Sequence, residues 1–288
     1  VGYTYTAKKN SVQALQGIDL TVEDQEFLCV LGPSGCGKST LLSLIAGFLA
    51  PTTGTLQMQG QLITGPSWAR GVVFQAPTLY AWLSVRQNIG FGLKMRHFKK
   101  QQIEQITSEY IELVGLQGVE DSKPYELSGG MKQRVALARA LVGKPRVLLM
   151  DEPFGALDAL TRQSMQALVR RLWQATQCTA ILVTHDIDEA LCLGTRTLLL
   201  SGRPGHILQQ FEAGFTHTLL QDEKAKVVYQ PDYIARREEL LAHVPFDELG
   251  HGLRFVGGRA QGLAADHRLG LVEEDHAGRG QIAFHAGH

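Results

Sequence analysis

Residues Gly32 to Thr40 read GPSGCGKST, and the spacing GxxxxGK[ST] constrains this chain more than any other feature. A loop of this composition turns backbone N–H groups inward around phosphate oxygens. Its lysine, Lys38, is placed to reach β- and γ-phosphates and its Ser39 to ligate Mg²⁺. Such a string can arise by chance in any glycine-rich loop. Here it follows the apolar run Phe27 to Leu31 and opens a helix carrying Leu41, Leu42, Leu44 and Ile45. That strand–loop–helix context aims the positive end of a helix dipole at an anion. Gly32, Pro33, Ser34, Gly35, Cys36, Gly37, Lys38, Ser39 and Thr40 are therefore assigned to binding a nucleoside triphosphate.

The sheet that carries this loop is also readable. Phe27 to Leu31, Gly71 to Phe74, Val147 to Met150, Ala180 to Thr184 and Thr197 to Leu200 are short apolar runs rich in β-branched residues. They read as strands buried on both faces, alternating with helical patterns in an α/β architecture. One of those helices, from about Leu160, sets Met165, Leu168, Val169, Leu172 and Trp173 on a single face, a stripe that belongs to the core. Gln13 to Val22 alternates apolar and polar residues as one antiparallel strand, continued by Gly54 to Met58 and Gln61 to Ile63. From about residue 79 to 140 the pattern is helical, as in Lys100 to Val114, which predicts an inserted helical subdomain.

The strand Val147 to Met150 ends in Asp151-Glu152, and in an open α/β sheet the carboxyl ends of strands face the ligand crevice. Phosphoryl transfer needs a metal to offset charge on the β- and γ-oxygens and a base to orient the attacking water. Asp151 is assigned to Mg²⁺ through its water shell and Glu152 to the base.

Formal net charge is +0, so no overall field favours nucleic acid. No stretch approaches the roughly 18 apolar residues of a membrane-spanning helix, and the sequence from Val1 onward has no secretion-signal pattern. These features predict a cytoplasmic protein that meets a membrane only through a protein partner or a local patch. Cys29, Cys36, Cys178 and Cys192 show no metal-site spacing and read as reduced thiols, with Cys36 open to mild alkylation inside the phosphate loop. Beyond about residue 246 the chain mixes Gly, His, Ala and charged residues without periodicity, so 247–288 reads as a poorly ordered tail. Its histidines, His251, His267, His276, His285 and His288, have no helical pairing suited to a metal.

The segment LSGGMKQ at Leu127 to Gln133 has no place in small-molecule P-loop kinases and resembles the signature loop of ATP-binding cassette (ABC) ATPases. With Tyr5, GPSGCGKST, Gln75, LSGGMKQ, LLMDEP, Gly155-Ala156-Leu157-Asp158 and His185 in order, residues 1–215 resemble the nucleotide-binding subunit of bacterial ABC importers. The likeness implies a P-loop NTPase cassette with a RecA-like mixed sheet core, an antiparallel β subdomain and the helical insertion. It also implies a head-to-tail homodimer with ATP sandwiched between subunits. In that dimer Ser128, Gly129 and Gly130 serve the partner's nucleotide and Asp158 lies at the interface. Gln75 would sense Mg²⁺ and water, His185 would contact the γ-phosphate and support Glu152, and Tyr5 would stack on adenine, with Tyr3 close enough to compete for that role.

GPSWARGVVFQ, FGALDALTR, THDIDEAL and PDYIARREELL are similar to the importer subclass handling taurine, alkanesulfonates and nitrate. The last is its short C-terminal helix, within an extension over 216–246. Taurine or a related sulfonate is the implied solute, with nitrate or another small solute as the alternative. The implied partners are integral membrane permease subunits and a periplasmic solute-binding protein, at the cytoplasmic face of the inner membrane. A soluble ABC ATPase acting on nucleic acid or ribosomes usually carries two cassettes or a long coiled coil, and this chain has one cassette and no heptads.

Overall fold

The computed structural model describes residues 1–7, 10–243 and 282–285. The chain opens with an antiparallel hairpin, β1 (Tyr3–Ala7) and β2 (Asn10–Leu15), then runs through β3 (Leu20–Val22) and β4 (Phe27–Leu31) into α1 (Lys38–Ala46). β5 (Thr55–Met58), β6 (Gln61–Leu62) and β7 (Arg70–Val73) follow. Next come the helices α2 (Val85–Met95), α3 (Lys100–Leu113) and α4 (Gly129–Leu141). The second half alternates β8 (Val147–Asp151), α5 (Ala159–Thr176), β9 (Thr179–Thr184), α6 (Ile187–Leu193) and β10 (Arg196–Leu200). It continues through β11 (Ile207–Glu212), α7 (Phe215–Gln221) and α8 (Pro231–His243), and the last described element is β12 (Ile282–His285).

The central sheet has the order β11-β10-β4-β9-β8-β7. Every pairing in it is parallel except the edge strand β11. Phe27, Cys29 and Leu31 of β4 face one hydrophobic cluster, together with residues of α2 to α8. Leu28 and Val30 face a second cluster with α1 and the antiparallel strands. Burial on both faces is why these strands read as unbroken apolar runs. The register then decides the chemistry: Leu31 pairs with Thr184, and Asp151 pairs with Val183. Gly32, Glu152 and His185 therefore leave the sheet side by side.

Two expectations change. The strand read as Gln13 to Val22 is broken at Gly17, whose φ of 60° turns the chain. β2 stays with β1 in the hairpin, and β3 joins a separate four-stranded sheet of order β3-β12-β5-β6.

The second change concerns the tail. β12 inserts between β3 and β5, with Ile282 opposite both Val22 and Met58, and Ile282 is 3% exposed within the second cluster. Without it, β3 and β5 would each face an unpaired edge. His285 ends this strand, whereas His251, His267, His276 and His288 lie outside the described residues. Four short residues gave the sequence reading no period to detect. Ile282→Ala removes buried methyl groups and should cost about 2–4 kcal/mol, read as a melting point lowered by several degrees. A melting point within about 1 °C of the parent would show that this slot does not depend on Ile282.

Candidate active site

The phosphate loop is set by its glycines. Gly37 has φ of 107°, and a Cβ there would lie 2.7 Å from Leu15 Cδ2 and 2.8 Å from the Ala14 carbonyl oxygen. Only glycine fits both the conformation and the space. No side chain caps α1 at this end, so its first N–H groups are available to an anion. Lys38 is buried, and its Nζ donates to the carbonyls of Gly32 at 2.7 Å and Pro33 at 2.8 Å. Cys36 is also buried, which removes the basis for expecting it to react with alkylating reagents.

Two polar pairs stand at the mouth. Ser39 Oγ donates to Asp151 Oδ1 at 3.0 Å, and burial pushes the Asp151 carboxyl above its usual range. Glu152 Oε2 lies 3.2 Å from His185 Nδ1. That hydrogen bond lowers the Glu152 carboxyl and raises the His185 imidazole relative to their ordinary values. Glu152 has φ of 42°, a left-handed conformation uncommon for a residue with a side chain. Its N–H donates to Val183 O at 2.9 Å, which ties the turn to the neighbouring strand. Gln75 approaches the same point: a Cβ on Gly155 would lie 3.7 Å from Gln75 Nε2 and 4.0 Å from Glu152 Oε2.

Beside these groups lies a cavity of about 440 Å³ lined by Tyr5, Val12, Ala14, the phosphate loop, Glu152 and Arg203. Tyr5 is half exposed and its hydroxyl is 3.1 Å from Thr40 Oγ1. Tyr3 packs edge-on against Tyr5 at 4.8 Å and does not line the cavity. Arg203 escaped the sequence reading. It sits in the loop after β10, and its Nε donates to Gly35 O at 3.2 Å. An arginine in a Gly-Pro loop gives no periodic signal; only the parallel pairing of β10 with β4 brings it to the phosphate loop.

Ser128, Gly129, Gly130 and Asp158 do not line this cavity. Ser128 instead caps α4, accepting from the Met131 N–H at 3.3 Å. Asp158 caps α5, accepting from the Thr161 N–H at 3.0 Å, and hydrogen bonding to the Thr161 side chain, then to its backbone, holds the carboxyl below the usual range. Both are exposed. Gly130 is a close-approach position, since a Cβ there would fall 2.6 Å from Thr161 Cγ2.

A mostly parallel sheet with a phosphate loop, an acidic pair two strands away and a capped LSGG helix outside the cavity defines an ATP-binding cassette, and this chain belongs to the ABC transporter family. The family's profile matches residues 15–155. Among curated relatives, the chain is 49% identical over 230 residues to the taurine import ATP-binding protein TauB of Roseobacter denitrificans, spanning 80% of this chain and 86% of that protein. Against TauB of Escherichia coli K12 identity is 46% over 232 residues, 80% of this chain and 91% of the relative. Among solved structures, the dimeric bacterial ABC transporter cassette MJ0796 superposes with a TM-score of 0.67 at 30% identity, covering 74% of this chain and 96% of that one. A post-hydrolysis dimer of the same cassette, bound to ADP and Pi, gives 0.64 at 30% identity, with 73% and 97% covered.

Proposed function

We propose that this chain is the ATP-hydrolysing, energy-coupling subunit of an ABC importer for taurine or a closely related sulfonate. The observation that carries the reading is the division of the site. Lys38, the Ser39–Asp151 pair and the Glu152–His185 pair share one mouth, while Ser128, Gly129, Gly130 and Asp158 lie outside it on exposed helix starts. A second copy of the chain, turned head to tail, supplies what one copy lacks. In that homodimer the N-terminus of α4 meets the γ-phosphate of the partner's ATP.

Each side chain then has a task. Lys38 exchanges its two carbonyl acceptors for β- and γ-phosphate oxygens, a stronger charge-assisted contact. Tyr5 offers a ring to adenine at the open end of the cavity, and Arg203 adds positive charge beside Gly35. Glu152 is ionised at neutral pH and accepts a proton from the attacking water, while His185 fixes its orientation. Gln75 orients the same water. Ser39 and Asp151 are hard oxygen donors at hydrogen-bonding distance, a pair suited to Mg²⁺, which takes one or two carboxylates and completes its shell with phosphate and water. The carbonyl oxygen of Gln75, which approaches the neighbouring Glu152, is the third donor of this reading. Bound there, Mg²⁺ supplies charge compensation on the phosphate oxygens.

No helix among the described residues is long and apolar enough to cross a membrane, so coupling needs a permease partner. The docking surface we assign lies along α2. Trp82 is 73% exposed, Tyr80 packs on it at 5.5 Å and on Phe91 at 4.6 Å, and Trp68 lies one residue further along, against Gly92. The loop that presents them is rigid: Asn88, fully buried, donates to the carbonyls of Tyr80, Leu83 and Ser84 and accepts from the Tyr80 N–H. Leu79 of the same loop packs against the core instead. The assembled system includes a periplasmic solute-binding protein and sits at the cytoplasmic face of the inner membrane.

The reading is tested by vesicles containing the permease, loaded with this subunit and presented with solute-binding protein. ATP-dependent taurine accumulation is expected, and ATPase activity with nitrate accumulation alone would reassign the solute. Tyr80→Ala with Trp82→Ala should keep ATP affinity and melting point yet lower uptake at least about tenfold, as expected for exposed aromatic anchors at an interface. Normal uptake by that variant would place the permease elsewhere.

A further inference from the structure

We propose that Arg162 and Glu189 form a positioning node that ties the Asp158 loop to the His185 loop, so that the interface between subunits and the γ-phosphate contact move together. The node rests on the ATPase reading above but concerns residues that reading leaves without a task.

Arg162 lies on the first turn of α5, four residues after Asp158, and it reaches both loops. Its Nη2 donates to the carbonyl of Leu157, the residue before Asp158, at 3.2 Å. Its Nη1 is 3.8 Å from Asp186 Oδ2, next to His185, and its Nε is 3.9 Å from Glu189 Oε1. That Nε is buried and has no hydrogen-bond partner, so Arg162 faces Glu189 at a distance just beyond a hydrogen bond. A small shift of α5 toward α6 would close it. Thr161, beside it, is the residue against which Gly130 packs. Movement of the signature helix therefore bears directly on the same turn of α5.

Glu189 closes the circuit from the other side. It is 5% exposed, and its Oε2 accepts from the Thr184 hydroxyl at 2.6 Å. The same hydroxyl accepts from the Asp186 N–H at 3.0 Å. His185 is thus held on both flanks by groups that answer to Glu189. Burial raises the Glu189 carboxyl to about 7, with Asp186 raising it further and Thr184, Arg162 and His185 opposing. Cys29 of β4 also faces it, as a neutral thiol whose titration burial pushes far above the usual range. The neighbouring α8 meets α6 elsewhere, through Tyr233 and Arg237 on Asp188. From α7, Thr216 bonds to the carbonyls of Cys192 and Gly194, and Arg170 of α5 reaches the Cys192 carbonyl.

The sign follows. Below about pH 7 Glu189 carries a proton, and its pull on Arg162 is lost. Above it the carboxylate attracts Arg162 and holds the two loops together.

The test compares the wild type with Glu189→Gln and Arg162→Lys between pH 6 and 8.5, reading kcat and KM for ATP separately. The amide of Glu189→Gln still accepts from Thr184 but never carries charge. Its kcat at pH 8 should fall about five- to tenfold, toward the wild-type value at pH 6, and lose its pH dependence near 7, with KM within about twofold. Arg162→Lys keeps the charge but loses the Nη2 bond to the Leu157 carbonyl, and should retain the pH limb at reduced kcat. An unchanged kcat and pH limb in Glu189→Gln would overturn the node, because the limb would then belong to His185. Parallel loss of ATP affinity and melting point in both variants would overturn it too, since the pair would be mere packing. Absence of ATPase activity in the wild type would fail the enzyme reading itself, a result distinct from either.

Discussion

Glu152→Gln is expected to lower ATP turnover by about 10²–10³-fold while leaving ATP affinity within about twofold. The amide preserves the size of the side chain and its contact to His185 Nδ1, now 3.2 Å from Glu152 Oε2, but it cannot take a proton. General-base catalysis contributes about 10²–10⁴-fold where the base is well placed, and Lys38 is held by the carbonyls of Gly32 and Pro33 rather than by a hydrogen bond to residue 152. Because binding survives and release by hydrolysis does not, dimers holding ATP should accumulate, visible by size exclusion. The left-handed backbone at Glu152, φ of 42°, is a conformation that costs energy and is retained by its N–H bond to Val183. Glutamine has the same backbone demands, so the variant should fold as the parent does. Turnover within about threefold of the parent would remove Glu152 from the role of base.

The sequence made the chemistry legible before the architecture. Lys38 and Ser39 could be read from the GxxxxGK[ST] spacing after an apolar run, and Asp151 and Glu152 because they end one, since a run buried on both faces is unmistakable. The pairing of Leu31 with Thr184 and of Asp151 with Val183 then adds what spacing alone does not contain, namely that these ends are neighbours. The choice between Tyr3 and Tyr5 was open in the sequence, since both alternate positions are aromatic. The hairpin resolves their placement, with Tyr5 lining the cavity and Tyr3 packed behind it. Arg203 and Arg162 were illegible for a different reason. Each acts through a neighbour more than a dozen residues away or from an irregular loop, and neither arginine interrupts a hydrophobic pattern. The break at Gly17 and the insertion of β12 belong to the antiparallel sheet, where strands of two to four residues leave little periodicity and tertiary pairing decides the outcome.

Lys38→Ala and Ser128→Arg should each abolish ATP trapping in the Glu152→Gln background, and mixing the two should restore it in part. Lys38 carries the ammonium that would face the β- and γ-phosphates; it is buried and held by two loop carbonyls, so its loss leaves the loop without its charge. Ser128 caps an exposed helix start. An arginine there removes a cap worth about 1 kcal/mol and places bulk where a second subunit's nucleotide must sit. The two defects lie in opposite halves of a composite site. In a head-to-tail heterodimer one interface collects both substitutions and the other collects neither. Equal mixing gives about half heterodimers, each trapping about one ATP, against about two for the Glu152→Gln parent and none for either variant alone. Trapped nucleotide counted per dimer after gel filtration measures this directly. No trapping in the mixture, or full trapping by either variant alone, would mean that Lys38 and Ser128 do not meet across a shared nucleotide.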